Sequence, residues 1–207
     1  MINAFVASIG LLLITATAAT VFAEERQRGG LDVLLATPLT THEIVLGKWW
    51  GVFRPALFLA ILPTFTTFLG GHGLWVYFAA LLQAVGLLAF SALCISGGVL
   101  CAILFSNLGR AVGVAVTGYL LLTGLPILMA FMARGSLNHD FMLSLTSVSP
   151  FMFSGSLTAS AHERHVPEYL RFILWLVVAG AWVTAWALRS LGLRLFAELG
   201  GRARERR

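Results

Sequence analysis

The sequence predicts an all-α integral membrane protein of about five transmembrane helices, with a charged amphipathic surface segment after the first and short helices before the last. Three observations predict it. The 207 residues are 58% hydrophobic and only 11% charged, with a mean hydropathy of +0.88, whereas a soluble domain is about a quarter charged. Five apolar runs have the length, ~20 residues, that carries a helix across a hydrocarbon core. The cationic residues flank those runs, so the net charge of +5 reads as membrane topology rather than as affinity for nucleic acid. The length allows a single membrane domain, residues 1–207.

The first run is Ala4 to Ala23. It has no positive residue ahead of it and Glu24, Glu25 and Arg26 follow directly, so it reads as a span and not a signal peptide. The uncharged start places the N-terminus outside and Glu24 in the cytoplasm.

Residues 24–50 form the cytoplasmic segment around which the chain is organised. Its start is charged (Glu24, Glu25, Arg26, Arg28), and a polar group follows past its middle (Thr40, Thr41, His42, Glu43). Leu31, Leu34 and Leu35 have the i, i+3, i+4 spacing of one helical face. Pro38 should end that helix near Thr37, because it lacks an N–H and disfavours α geometry just before it. Thr40 or Thr41 can cap a second short helix, with Glu43 near its positive end. The expectation is two short amphipathic helices with a break between them, lying on the membrane surface or docked on a partner.

The second run extends from about Val52 to Leu69. Trp49 and Trp50 anchor its start at the interface. Arg54 lies one turn in and can snorkel back. Pro55 fits the first turns, and Pro63 predicts a kink. Gly70, Gly71, His72 and Gly73 read as a tight outer turn. Leu74 to Phe105 exceeds one span, which predicts a steep tilt or a break near Ser96, Gly97 and Gly98. Ser106 to Arg110 is a short inner turn, and Ala111 to Ala133 is the fourth span, with Pro126 as its kink.

Residues 134–168 are mixed and interrupted by Ser, Thr and Pro150, too weak for a span. They read as an outer loop with one or two short re-entrant or interfacial helices. The last span is about Phe172 to Leu188, and residues 189–207 form a basic cytoplasmic tail suited to anionic lipid. In this arrangement eleven of the fourteen Lys and Arg residues lie inside. Only Arg134, Arg164 and Arg171 lie outside, as the positive-inside rule requires.

The span cores contain no Asp, Glu, Lys or His, and Arg54 sits at an edge. Intramembrane ionisable groups mark proton relays and ion-coupled sites, so an ion-driven transporter or voltage sensor is disfavoured. Gln83 is the strongest polar group within a span. It either hydrogen-bonds between helices or touches a substrate. Small residues such as Gly86, Gly97, Gly98, Gly113 and Gly118 let helices approach closely.

No Walker A pattern occurs, so the chain does not hold ATP phosphates itself. His162-Glu163-Arg164-His165 is one residue short of a zinc-binding H-E-x-x-H and reads as a solvated loop. No G-x-S-x-G occurs, and all five histidines fall outside the spans. The expectation is no catalytic site, no metal and no cofactor. Cys94 and Cys101 lie on one helical face about 10 Å apart along the axis, too far for a disulfide.

The segment EERQRGGLDVLLATPLTTHEIVLGK resembles the cytoplasmic segment of ABC-2 type ABC transporter permeases. The matching residues are Glu24, Glu25, Arg26, Arg28, Gly29, Leu31, Leu34, Leu35, Pro38, Ile44, Gly47 and Lys48. An outer Ser149-Pro150-Phe151 before the last span also fits. Beyond these the likeness is mostly hydropathy. The resemblance implies a permease subunit in the plasma (cell inner) membrane, an exporter in its direction. It also implies a dimer with a second permease copy or homologue, and a separate ATP-binding cassette subunit that binds ATP and Mg. The segment would be a coupling helix. Glu24, Glu25 and Arg26 would make charged contacts, Leu34, Leu35 and Pro38 would carry the docking shape, and Gly29 would permit the turn. Gly47 and Lys48 would set the return into the membrane. Family members have six spans, and this chain begins at what would be the second. The resemblance therefore implies a shortened permease or a fragment. The alternatives are a non-transporting anchor or assembly subunit that kept the docking segment and, more remotely, an intramembrane enzyme.

Overall fold

The computed structural model describes residues 2–27, 41–70, 75–132, 146–161 and 168–205. They form six α-helices: α1 Ile2–Gln27, α2 Thr41–Gly70, α3 Trp75–Leu104, α4 Leu108–Met132, α5 Pro150–Ser160 and α6 Glu168–Glu205. All except α5 are long and apolar enough to cross a membrane. Helices satisfy every interior backbone N–H and C=O within one segment, which a water-free core demands.

The hub is α3. Of its apolar window 67% is buried, against 17–39% for the other four spans, and it packs against all five other helices. Its sequence explains this. Ala79, Ala80, Gly86, Ala89, Ser91, Ala92, Gly98 and Ala102 are all buried, so small side chains face outward in several directions and neighbours approach closely. Gly86 lies beneath the Phe153 ring of α5, and a Cβ there would run into it. Phe90 meets the same ring edge-on at 5.4 Å.

The expected break in the third span is absent, for α3 runs unbroken through Ser96, Gly97 and Gly98. These residues serve packing instead. Trp49 Nε1 donates to Ser96 Oγ at 3.3 Å. A Cβ on Gly98 would lie 2.9 Å from Ala18 Cβ and 3.0 Å from the Thr15 carbonyl oxygen, so α1 crosses α3 nearly backbone to backbone.

The second surface helix is not separate either. Starting at Thr41, α2 continues through Trp49 and Trp50 into the span. Trp49, Val52, Phe53, Ala56 and Ala60 make one continuous buried stripe, extended by Ile44 in the first turn. Nothing between Thr41 and Pro55 interrupts the helix. Residues 28–40, with the first expected short helix, lie outside the described residues.

Two boundaries also move. The basic tail is helical as far as Glu205, because Leu193, Leu195 and Phe196 keep packing on the core beyond Arg189. Among the described residues of 134–168 one short helix, α5, forms. Its N-cap Ser149 is extended (φ −72°, ψ 127°) with Pro150 in the first turn, where a missing N–H costs nothing. The Ser149 hydroxyl donates to the Thr123 carbonyl at 2.9 Å, tying α5 to α4.

Contacts fix the directions. Phe22 of α1 lies under Lys48, while Asn3 reaches Thr66, so α1 and α2 are antiparallel. Arg171 lies over Trp75 and Gly192 beside Ile103, so α6 runs parallel to α3. A three-residue turn after α3, with Ala111 N–H bonding to the Asn107 carbonyl at 3.0 Å, sends α4 back. One end of the bundle therefore gathers Lys48, Arg54, Arg110, Arg189 and Arg194, while Arg171 stands at the other.

The two adjacent glycines separate packing from propensity. Gly98→Ala should lower the thermal unfolding midpoint in detergent, at a cost of about 1–3 kcal/mol from overpacking. Gly97→Ala, whose Cβ would meet nothing within 4 Å, should leave the midpoint unchanged or raise it by up to ~1 kcal/mol of helix propensity.

Candidate functional site

The bundle end that carries the cations is built on an aromatic cluster. Trp49 and Phe53, one turn apart on α2, stack at 4.8 Å with 13° between planes. The Arg189 guanidinium of α6 lies 5.2 Å from the Trp49 ring, and Lys48 Nζ lies 5.1 Å from the Phe22 ring of α1. Each cation meets the negative face of a π system, which at a partly desolvated site contributes roughly 0.5–2 kcal/mol. The Trp49 bond to Ser96 adds α3. The cluster thus joins α1, α2, α3 and α6.

Most of the segment residues lie around this cluster or outside the described residues. Glu24 is exposed in the last turns of α1, and the backbone of Glu25 and Arg26 completes that helix. Arg28, Gly29, Leu31, Leu34, Leu35 and Pro38 lie outside the described residues, as do His162 and His165. Ile44 is buried in the first turn of α2. Gly47 is exposed with open space around it. The two ends of the segment, Glu24 and Lys48, are brought to one place by the Phe22–Lys48 contact.

At the opposite end a part-buried polar network pins α1, α2 and α5. Asn3 Oδ1 accepts from Thr66 Oγ1 at 2.7 Å. Its Nδ2 donates to Thr158 Oγ1 at 3.1 Å and to the Pro63 carbonyl at 3.4 Å. Thr67 Oγ1 lies 3.3 Å from Thr158 Oγ1 and donates to the Pro63 carbonyl at 2.8 Å. Sequence reading missed this network. Asn3 precedes an apolar run, and Thr66, Thr67 and Thr158 are scattered, so only the helix pairing shows that they meet.

Gln83 is fully buried, and its Nε2 donates to Ser154 Oγ of α5 at 2.8 Å. The interhelical role is the one formed. Its Oε1 has no hydrogen-bond partner. A cavity of about 410 Å³ lies between α2 and α3. Another of about 320 Å³ lies where α1, α3 and α4 meet, with Cys94, Cys101, Gly118 and Tyr119 on its wall. Gln83 borders neither cavity. Both cysteines are free thiols. The Tyr119 hydroxyl is held by the Ser8 carbonyl at 2.7 Å.

Compared with protein families and with curated proteins, the chain matches no family model and no curated sequence. The geometry therefore defines a class only: a multi-pass helical membrane protein.

The Gln83–Ser154 pair gives a stability test. Ser154→Ala strands the whole Gln83 amide in an apolar interior and should cost about 1–3 kcal/mol. Adding Gln83→Leu should recover part of that loss, because no polar group is then left unpaired. Unfolding of the two single variants and the double variant in one detergent reads the coupling.

Proposed function

We propose that the chain is the permease subunit of an ABC-2 type ABC transporter, acting as an exporter in a cell inner membrane and powered by ATP hydrolysed in a separate subunit. The observation that carries this reading is the segment between α1 and α2. It has the charged start, Leu face, Pro38 break and Gly47-Lys48 end of the family's coupling segment. It leaves and re-enters the bundle where the described cations cluster.

In this reading α1 ends in the cytoplasm and α6 carries the C-terminus inside. Lys48, Arg54, Arg110, Arg189 and Arg194 at one bundle end support that orientation. The Leu31, Leu34 and Leu35 face docks in a groove of the ATPase as an amphipathic helix, and Glu24, Glu25 and Arg26 make its charged rim. The cation–π cluster supplies a mechanical link. A push on the segment reaches Lys48 and Trp49, and through Ser96 and Arg189 it reaches α3 and α6. On the outer side α5 is the interfacial or re-entrant helix, held by Ser149 and Gln83. A second copy or homologue completes the path. The anchor reading predicts the same docking without substrate-stimulated ATP turnover, so that stimulation separates the two.

A photo-crosslinking amino acid at Leu34 or Leu35, activated in native membranes, tests the docking. The expected adduct is with a protein carrying G-x-x-x-x-G-K-[ST]. Adducts with lipid alone would remove the energy source from this reading. Arg28→Ala should be milder than Leu34→Asp, since exposed ion pairs contribute only ~0.2–1 kcal/mol.

A further inference from the structure

The cation-bearing end of the bundle is short of anions. Among the residues whose side chains are described there, Lys48, Arg54, Arg110, Arg189 and Arg194 face two carboxylates, Glu24 and Glu43. Two of these cations differ from the others in depth. Lys48, Arg110 and Arg194 are each two residues from the end of a span, where headgroup water reaches them. Arg54 lies eight residues inside Leu46–Gly70, and Arg189 seven residues inside Arg171–Phe196, about two helical turns in each case. A guanidinium keeps its charge, so at that depth it snorkels and takes an anion.

The two deep arginines border one cluster of rings. The Arg189 guanidinium lies 5.2 Å from the Trp49 ring, and Trp49 meets Trp50 edge-on at 5.5 Å. Trp50 stands one turn from Arg54, at the i, i+4 spacing of one face, and both are exposed. Leu57 and Ile61, three and seven residues beyond Arg54, continue that face along the cavity against α3. The other flank of α2 is taken by α1, where Phe22 lies under Lys48. Arg54 therefore stands on the side of α2 away from α1. On that side α6 packs on α3 and α2 and brings Arg189 onto Trp49. Snorkelling carries the Arg54 guanidinium back toward Trp50, the level at which Arg189 already lies.

Charge and depth together select the occupant. Among the described residues neither guanidinium meets a carboxylate, and the one contact of Arg189 is the Trp49 ring. A guanidinium fork matches the oxygens of a phosphate. Inside the ends of two spans that phosphate is a lipid's, since a soluble anion stays in the water beyond them. The excess of cations favours a headgroup of net negative charge over one that carries its own ammonium.

We propose that the notch between α2 and α6 binds one anionic phospholipid of the leaflet at the Lys48 end, its phosphate held between the guanidinium groups of Arg54 and Arg189. The site does not use the transporter reading, and it is the same whichever side of the membrane that end faces.

The test is native mass spectrometry of the full chain in a mild detergent, with phosphatidylglycerol or phosphatidylcholine titrated in. The first phosphatidylglycerol should bind about tenfold more tightly than the first phosphatidylcholine. Arg54→Gln should weaken it about tenfold, the worth of one charge-assisted hydrogen bond, and Arg189→Gln should do the same. Arg54 is exposed, so its variant keeps the fold and decides alone if Arg189→Gln does not. Arg110→Gln removes the same charge from the same end. It lies on α4, which packs on α1, α3 and α5, and should leave the affinity nearly unchanged. Excess inorganic phosphate should not displace the lipid. Equal losses from Arg54→Gln and Arg110→Gln would overturn the proposal, since the attraction would then be the charge of the whole end. So would equal affinity for the two lipids, or displacement by inorganic phosphate, which would make the ligand a soluble anion.

Discussion

Close approach on α3 is the constraint on which the rest depends. Lipid tails are as apolar as Leu, so burial of apolar area does not by itself drive helices together in a bilayer. What remains is dispersion across well-fitted surfaces and a few hydrogen bonds. The fit comes from the small residues of α3, with Gly98 against α1 and Gly86 beneath Phe153 of α5. The bonds come from Ser96 toward α2 and from Gln83 toward α5. Because α3 touches every other helix, a disturbance at one of these points spreads to the whole bundle.

The two ends of the bundle share cation–π contacts, Arg171 lying over Trp75 at the second, and differ in their hydrogen bonds. One end uses cations over aromatic faces, with Lys48 on Phe22 and Arg189 on the Trp49–Phe53 stack. Such contacts are only weakly directional and tolerate sliding. The other end adds the part-buried hydrogen bonds of Asn3 with Thr66 and Thr158, which are more directional. In the transporter reading this asymmetry is useful. A compliant end takes up motion from the ATPase, and a rigid end acts as the pivot.

The five spans were legible because hydropathy and length suffice for a helix that must satisfy its own backbone. Details set by partners were not. Ser96, Gly97 and Gly98 look like a helix break in one dimension, yet they form a contact surface once Trp49 and Ala18 are opposite them. The surface segment looked like two separate helices because its polar residues dominate the local pattern. The buried stripe from Ile44 to Ala60 makes its second half part of α2. Gln83 stood out as polar in an apolar run, but its partner Ser154 is 71 residues away and no local pattern connects them. The Leu31, Leu34 and Leu35 face remains a reading of the sequence.

The most direct measurement is ATP hydrolysis by material purified from native membranes in gentle detergent through a tag on this chain. In the transporter reading the ATP-binding site lies on a bound partner. The account predicts Mg-dependent ATP hydrolysis that co-purifies with the unaltered chain and falls to background when Leu34 and Leu35 are both changed to Asp. Activity that is absent, or that persists undiminished in the variant, would contradict it.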